Sequence, residues 1–140
     1  MIKPILKPKP IKKKKKSKLT TQQKITRLRN KADRLYQEVG RKRYEDVGCL
    51  VCDEEYSCLH HYFPKSTCSA LRYNFENGIN IGVKCHYRIH SSDDPSINNA
   101  ILKEKGFEWL ERLEAIKRDV QIKPSIKYYK SVIAELEKEL

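Results

Sequence analysis

The sequence predicts an α+β fold: a small cysteine- and histidine-rich strand–strand–helix module, flanked by helices and preceded by a basic tail without fixed structure. Three observations predict it. All five cysteines and all four histidines of the 140-residue chain fall between residues 44 and 91. Apolar residues recur at helical spacing on both sides of that stretch. The positive excess is confined to the N-terminal quarter: 13 of the 30 Lys and Arg precede the first acid, Asp33, whereas the other 17 are matched by 18 Asp and Glu. Hydrophobic residues make up 39% and charged residues 34%, so only part of the chain can be packed core.

Taken in order, residues 1–19 contain Pro4, Pro8, Pro10 and the run Lys12, Lys13, Lys14, Lys15 and Lys16. Like charges repel and proline blocks helix, so this tail is expected to be disordered when free. Residues 20–43 form an N-terminal helix: Thr20 and Gln23 have capping-box spacing, and Ile25, Leu28, Ala32, Leu35, Tyr36 and Val39 make one apolar stripe. Gly40 reads as its stop. In the module, residues 44–91, short alternating segments near 55–61 and 78–82 read as strands, and about 83–91 as a helix. Residues 92–140 are a helical extension. Asp94 is the expected N-cap, with Pro95 at the first helical position. Gly106 interrupts, 107–118 continues helically, and Lys123-Pro124-Ser125 starts a last helix. Its stripe of Ile126, Tyr129, Val132, Ile133, Leu136 and Leu140 suits either the core or a dimer. No apolar run approaches the ~20 residues that cross a bilayer. No apolar stretch follows the basic start as a secretory signal would require. The expectation is a soluble, cytoplasmic protein.

The four histidines carry the chemistry. His86 and His90 are i and i+4, so a helix puts both rings on one face, about 6 Å apart. That spacing suits one divalent cation. His60 and His61 are adjacent, and in a strand they point to opposite faces. One can join the metal while the other reaches substrate, the division that metal-assisted hydrolysis needs. The competing reading is one structural zinc on all four. Cys49-Leu50-Val51-Cys52 has zinc-knuckle spacing, and the acids at 53–55 oppose a redox role. The expected second pair reads Gly82-Val83-Lys84-Cys85, with glycine where a cysteine belongs. Cys58 or Cys68 could replace it, or the site could be weak. Without a secretion signal, the five cysteines do not suggest disulfides.

Cys49-x2-Cys52, His60-His61-Tyr62-Phe63-Pro64, Asn77-Gly78-Ile79 and Cys85-His86-x3-His90, in this order and spacing, resemble the HNH endonuclease motif of the ββα-metal superfamily. Leu71-Arg72-Tyr73-Asn74-Phe75-Glu76-Asn77-Gly78-Ile79, with the helical extension, is similar to the NinG/Rap family of phage recombination endonucleases. The first resemblance implies that His61 is the general base activating water and that His60, His86 and His90 hold one divalent ion (Mg²⁺, Mn²⁺ or Zn²⁺). Asn77 would orient His61 or the loop between the strands. A structural Zn²⁺ would sit on Cys49, Cys52 and Cys85. Arg72, Lys65, Lys84 and Arg88 would clamp phosphate oxygens, and Lys12 to Lys16 would supply DNA affinity. The second resemblance implies branched DNA as substrate, and two symmetric nicks would suit a homodimer. Two readings compete: a non-catalytic zinc-stabilised DNA-binding accessory protein, and a sequence-specific HNH nickase, although no base-reading helix or repeat is evident.

Overall fold

The computed structural model describes residues 2–91 and 94–140. Among them the fold is α+β, with five helices and one two-stranded antiparallel sheet. Residues 2–20 form no helix or strand. Helix α1 spans Thr21–Tyr44, opened by the capping box in which Thr20 and Gln23 bond reciprocally. Strand β1 (Cys58–His61) and strand β2 (Gly78–Ile81) follow, separated by a loop with short 3-10 turns at Ser69–Leu71 and Phe75–Asn77. Helix α2 (Val83–Ser91) leaves directly from β2. Helices α3 (Ser96–Lys105), α4 (Phe107–Asp119) and α5 (Ile126–Glu137) complete the chain.

Two boundaries differ from the sequence reading for physical reasons. Gly40 does not stop α1, which runs on to Tyr44. A Cβ at Gly40 would lie 2.4 Å from Leu59 Cδ1, so the glycine lets α1 lie directly on β1. Pro95 is the residue before α3 rather than its first residue. Asp94 therefore lies one residue outside the N-cap, although its Oδ1 accepts from the Ser96 amide at 2.9 Å. Ser92 and Asp93, in the same expected linker, lie outside the described residues.

The register Cys58↔Ile81, His60↔Ile79, Leu59↔Asn80 and His61↔Gly78 divides the sheet into two faces. Cys58 and His60 turn toward α2. Leu59 and His61 turn toward α1, where Tyr36 stacks on His61 at 5.2 Å between ring centroids. A side chain at Gly78 would strike the Tyr36 hydroxyl at 2.4 Å. The bare glycine opposite His61 therefore makes room for the ring beneath it.

One core joins Ala32, Leu35, Tyr36 and Val39 of α1 to Leu59 and to Tyr129, Ile133 and Leu136 of α5. Of the C-terminal apolar stripe, Tyr129, Ile133 and Leu136 are thus buried against α1, Ile126 and Val132 are partly buried, and Leu140 stays exposed. The second core joins Ile79 and Ile81 to Leu71, Cys85, Ile97, Ile101, Trp109 and Leu113. The short sheet lies between the two. Such a small sheet cannot bury enough surface alone, and the flanking helices supply the rest.

Candidate active site

His60, His86 and His90 converge. Strand β1 presents His60, and successive turns of α2 present the other two. Ring centroids stand 5.5 Å apart for His60–His86 and His60–His90, and 4.6 Å for His86–His90. One nitrogen from each ring lies within 4.8 Å of the other two, and the Nε2 atoms of His86 and His90 are 3.0 Å apart. Imidazoles around a tetrahedral ion at ~2.0–2.1 Å keep their nitrogens about 3.3 Å apart, so these donors fit one divalent cation. Cys58 Sγ lies 3.5 Å from His86 Nδ1, which leaves Nε2 as the nitrogen facing the cluster. Burial, followed by the charges of His86, His90 and His61, pushes His60 down to about 3. His60 is therefore neutral, the form that ligates. The set runs from buried His60 to exposed His90, so the centre opens to solvent on one side.

On that open side lies a cleft of about 580 Å³, lined among others by His60, His61, Lys65, Ser66, His86 and His90. His61 reaches it from the opposite face of β1. Its Nε2 is 2.9 Å from the carbonyl oxygen of Arg72. A carbonyl only accepts, so Nε2 carries the proton and Nδ1 keeps its lone pair. Burial lowers the His61 pKa, and the Arg72 carbonyl opposes the shift. The net effect favours a neutral imidazole, with one nitrogen tethered and the other able to take a proton.

Asn77 is fully buried. Its Oδ1 accepts from the Phe63 amide at 2.8 Å, and its Nδ2 donates to the carbonyls of Phe63 (3.1 Å) and Leu71 (3.2 Å). It pins both ends of the 62–76 loop rather than touching His61. That loop carries the Arg72 carbonyl, so Asn77 positions His61 at one remove.

The basic residues separate. Lys65 lines the histidine cleft. Arg72, expected as a phosphate clamp, is instead bound to Asp33 through Nε at 2.9 Å and Nη2 at 2.6 Å, with its side chain only 16% exposed. The ion pair joins α1 to the loop and leaves this guanidinium committed. Lys84 and Arg88 line a different hollow, beside Cys52 and Cys85, and Arg88 bonds to Asp94 and Ser96. Lys12 to Lys16 stand exposed in the segment preceding α1.

Cys49, Cys52 and Cys85 form the second cluster. Their sulfurs lie within 4.8 Å of one another, with Cys52 and Cys85 at 3.3 Å. Burial, with the neighbouring Cys52 and Cys49 thiols, pushes Cys85 up to about 12. Burial raises Cys52 as well, whereas at Cys49 backbone N–H groups outweigh burial and lower the thiol; ionising all three together takes a cation, and this soft donor set suits zinc. Neither alternative cysteine joins the cluster. Cys58 faces His86, and Cys68 is buried in the second core.

Sequence reasoning missed three residues of α1. Tyr36 floors His61, and its hydroxyl donates to the Asn74 carbonyl at 3.1 Å. Asp33 holds Arg72. The Gln37 side chain exchanges two hydrogen bonds with the Leu59 backbone, 2.9 and 3.0 Å, closing the open edge of β1. Only Tyr36 left a sequence signal, as a member of the apolar stripe. Comparison of the chain with protein-family models, curated proteins and solved structures finds no match.

Proposed function

We propose that this protein is a metal-dependent DNA endonuclease of the HNH kind, hydrolysing phosphodiester bonds in the histidine cleft. One observation carries the reading: three imidazoles converge on a point while a fourth, held in a defined tautomer, opens onto the same cleft. The strand–strand–helix order of β1, β2 and α2 agrees with the resemblance drawn from the sequence.

His60, His86 and His90 would hold the divalent ion, which when bound would supply Lewis-acid stabilisation of the scissile phosphate and of the oxygen that departs as its P–O bond breaks. The chain's own residues do the rest. His61 takes a proton at Nδ1 from the attacking water while Nε2–H stays on the Arg72 carbonyl. That bond keeps the ring from turning and supports the imidazolium as it forms. Tyr36 closes the underside of the ring, so the proton arrives only from the cleft. Lys65, on the rim, offers a cation to a non-bridging phosphate oxygen. Asn77 and the Asp33–Arg72 pair hold the loop that carries the anchoring carbonyl. Branched DNA as substrate rests on the resemblance of Leu71–Ile79 to the recombination endonucleases.

The test incubates labelled linear, nicked and four-way DNA with the protein, with and without Mg²⁺ or Mn²⁺. Cutting that requires the metal supports the enzyme, and preference for the four-way substrate supports the branched-DNA reading. Tight binding without cutting in any metal contradicts both and favours an accessory DNA-binding role.

A further inference from the structure

The cysteine cluster lacks a corner. A structural zinc takes four ligands at tetrahedral positions, and Cys49, Cys52 and Cys85 provide three. The missing ligand belongs at Gly82, which has no side chain. The space is nevertheless filled. A Cβ at Gly82 would lie 2.6 Å from Glu54 Oε2 and 2.7 Å from Glu54 Cβ. The Glu54 side chain therefore occupies the place where a cysteine at 82 would begin.

Two contacts fix that side chain beside the sulfurs, and a third holds its backbone. Glu54 Oε2 accepts from Cys52 Sγ at 3.3 Å. Oε1 accepts from the Lys84 amide in the first turn of α2, also at 3.3 Å. The Glu54 carbonyl accepts from the Cys49 amide at 2.9 Å, which closes the loop that presents Cys49 and Cys52. The turn into this loop is made by Gly48 at φ 87°.

We infer that Glu54 is the fourth ligand of a three-cysteine, one-carboxylate zinc site, replacing the cysteine that position 82 lacks. The carboxylate touches only Cys52 and stands outside the group of atoms that lie within 4.8 Å of one another, so binding releases three thiol protons to solvent and draws a Glu54 oxygen inward, off the Cys52 thiol and onto the cation. Three thiolates and one carboxylate around Zn²⁺ carry the same net charge, −2, as four thiolates would. Lys84 borders the same hollow as Cys52, Asp53, Glu54 and Cys85, and its charge offsets part of that excess. Asp53, the neighbouring acid, borders the same hollow but is exposed. Position 82 must stay glycine for as long as Glu54 fills the space. The inference goes beyond the nuclease reading and does not depend on it, because it concerns the other cluster.

The experiment uses full-length, metal-stripped protein, titrated with Zn²⁺ against a chromophoric chelator and separately with Co²⁺. Sulfur-to-cobalt charge transfer reports only the thiolate site, so the histidine cluster does not contribute. Glu54→Gln keeps an oxygen for the Lys84 amide and the same size but ligates poorly. It is expected to weaken zinc at the thiolate site about 10-fold or more and to shift the cobalt ligand-field band. Glu54→Ala combined with Gly82→Cys puts a thiolate in the vacated space. It should recover the affinity and raise the charge-transfer intensity by about a third, as three thiolates become four. Unchanged zinc affinity and an unchanged cobalt band in Glu54→Gln would overturn the assignment, leaving Glu54 as a cap on α2. Absence of any thiolate charge transfer in the wild-type protein would overturn it as well.

Discussion

Asp33 shows how a residue remote from the cleft can govern it. Burial alone would raise its pKa. Hydrogen bonds from Arg72 and Tyr73, with the charges of Arg72 and Lys65, outweigh burial and hold it below the ordinary carboxylate value. A carboxylate depressed in the folded state stabilises the fold above its unfolded pKa and loses that contribution as pH falls through the folded value. Asp33→Asn should therefore cost about 2 kcal/mol at neutral pH. Its deficit against wild type should shrink only below about pH 4, as urea unfolding at several pH values will show. Asn77 makes the same point without charge. Asn77→Ala strands the Phe63 amide and the Phe63 and Leu71 carbonyls, and is expected to lower stability by about 2–4 kcal/mol. A loss within a few tenths of a kcal/mol would mean that the loop does not depend on this side chain.

Among the elements, α1 and β1 meet more closely than side chains on both would allow. In an ordinary helix Gly→Ala gains about 1 kcal/mol. Here Gly40→Ala drives a methyl to 2.5 Å or less from Leu59 Cγ and Cδ1 and is expected to destabilise by about 1–3 kcal/mol. Combining it with Leu59→Ala should give a loss smaller than the sum of the two, read from thermal unfolding as a double-mutant cycle. The sequence made much of this architecture legible. The capping box at Thr20, the alternation around His60 and the i,i+4 pair in α2 each reflect a local rule, and local rules can be read one segment at a time. Gly40 was misread because a glycine that ends a helix and one that admits a neighbouring strand look alike until the neighbour is known. Arg72 was misread for a related reason. Its partner Asp33 lies 39 residues away, and nothing in either segment announces the pairing. Glu54 lies two residues from Cys52, but its relation to Gly82 appears only when the knuckle loop and α2 are brought together.

At the scale of the whole molecule, charge and chemistry occupy different parts of the chain. Residues 33–140 are close to neutral, and the positive excess precedes them. A cation-rich segment displaces counterions from a polyphosphate, and each phosphate contact steepens the salt dependence of binding. Deleting residues 2–19 should weaken DNA binding and flatten its dependence on salt, measured by fluorescence anisotropy over a salt series. Unchanged affinity and slope would place the DNA contacts on the folded part instead. The central claim is that three imidazoles grip one cation while the fourth remains free to accept a proton. The most direct measurement follows bound metal and DNA cleavage together in His61→Ala and His90→Ala. The account predicts that His61→Ala keeps its histidine-bound ion yet cuts ~10²–10⁴-fold more slowly, while His90→Ala loses ion and cutting together. Wild-type cutting by His61→Ala, or loss of the ion from it, would contradict the account.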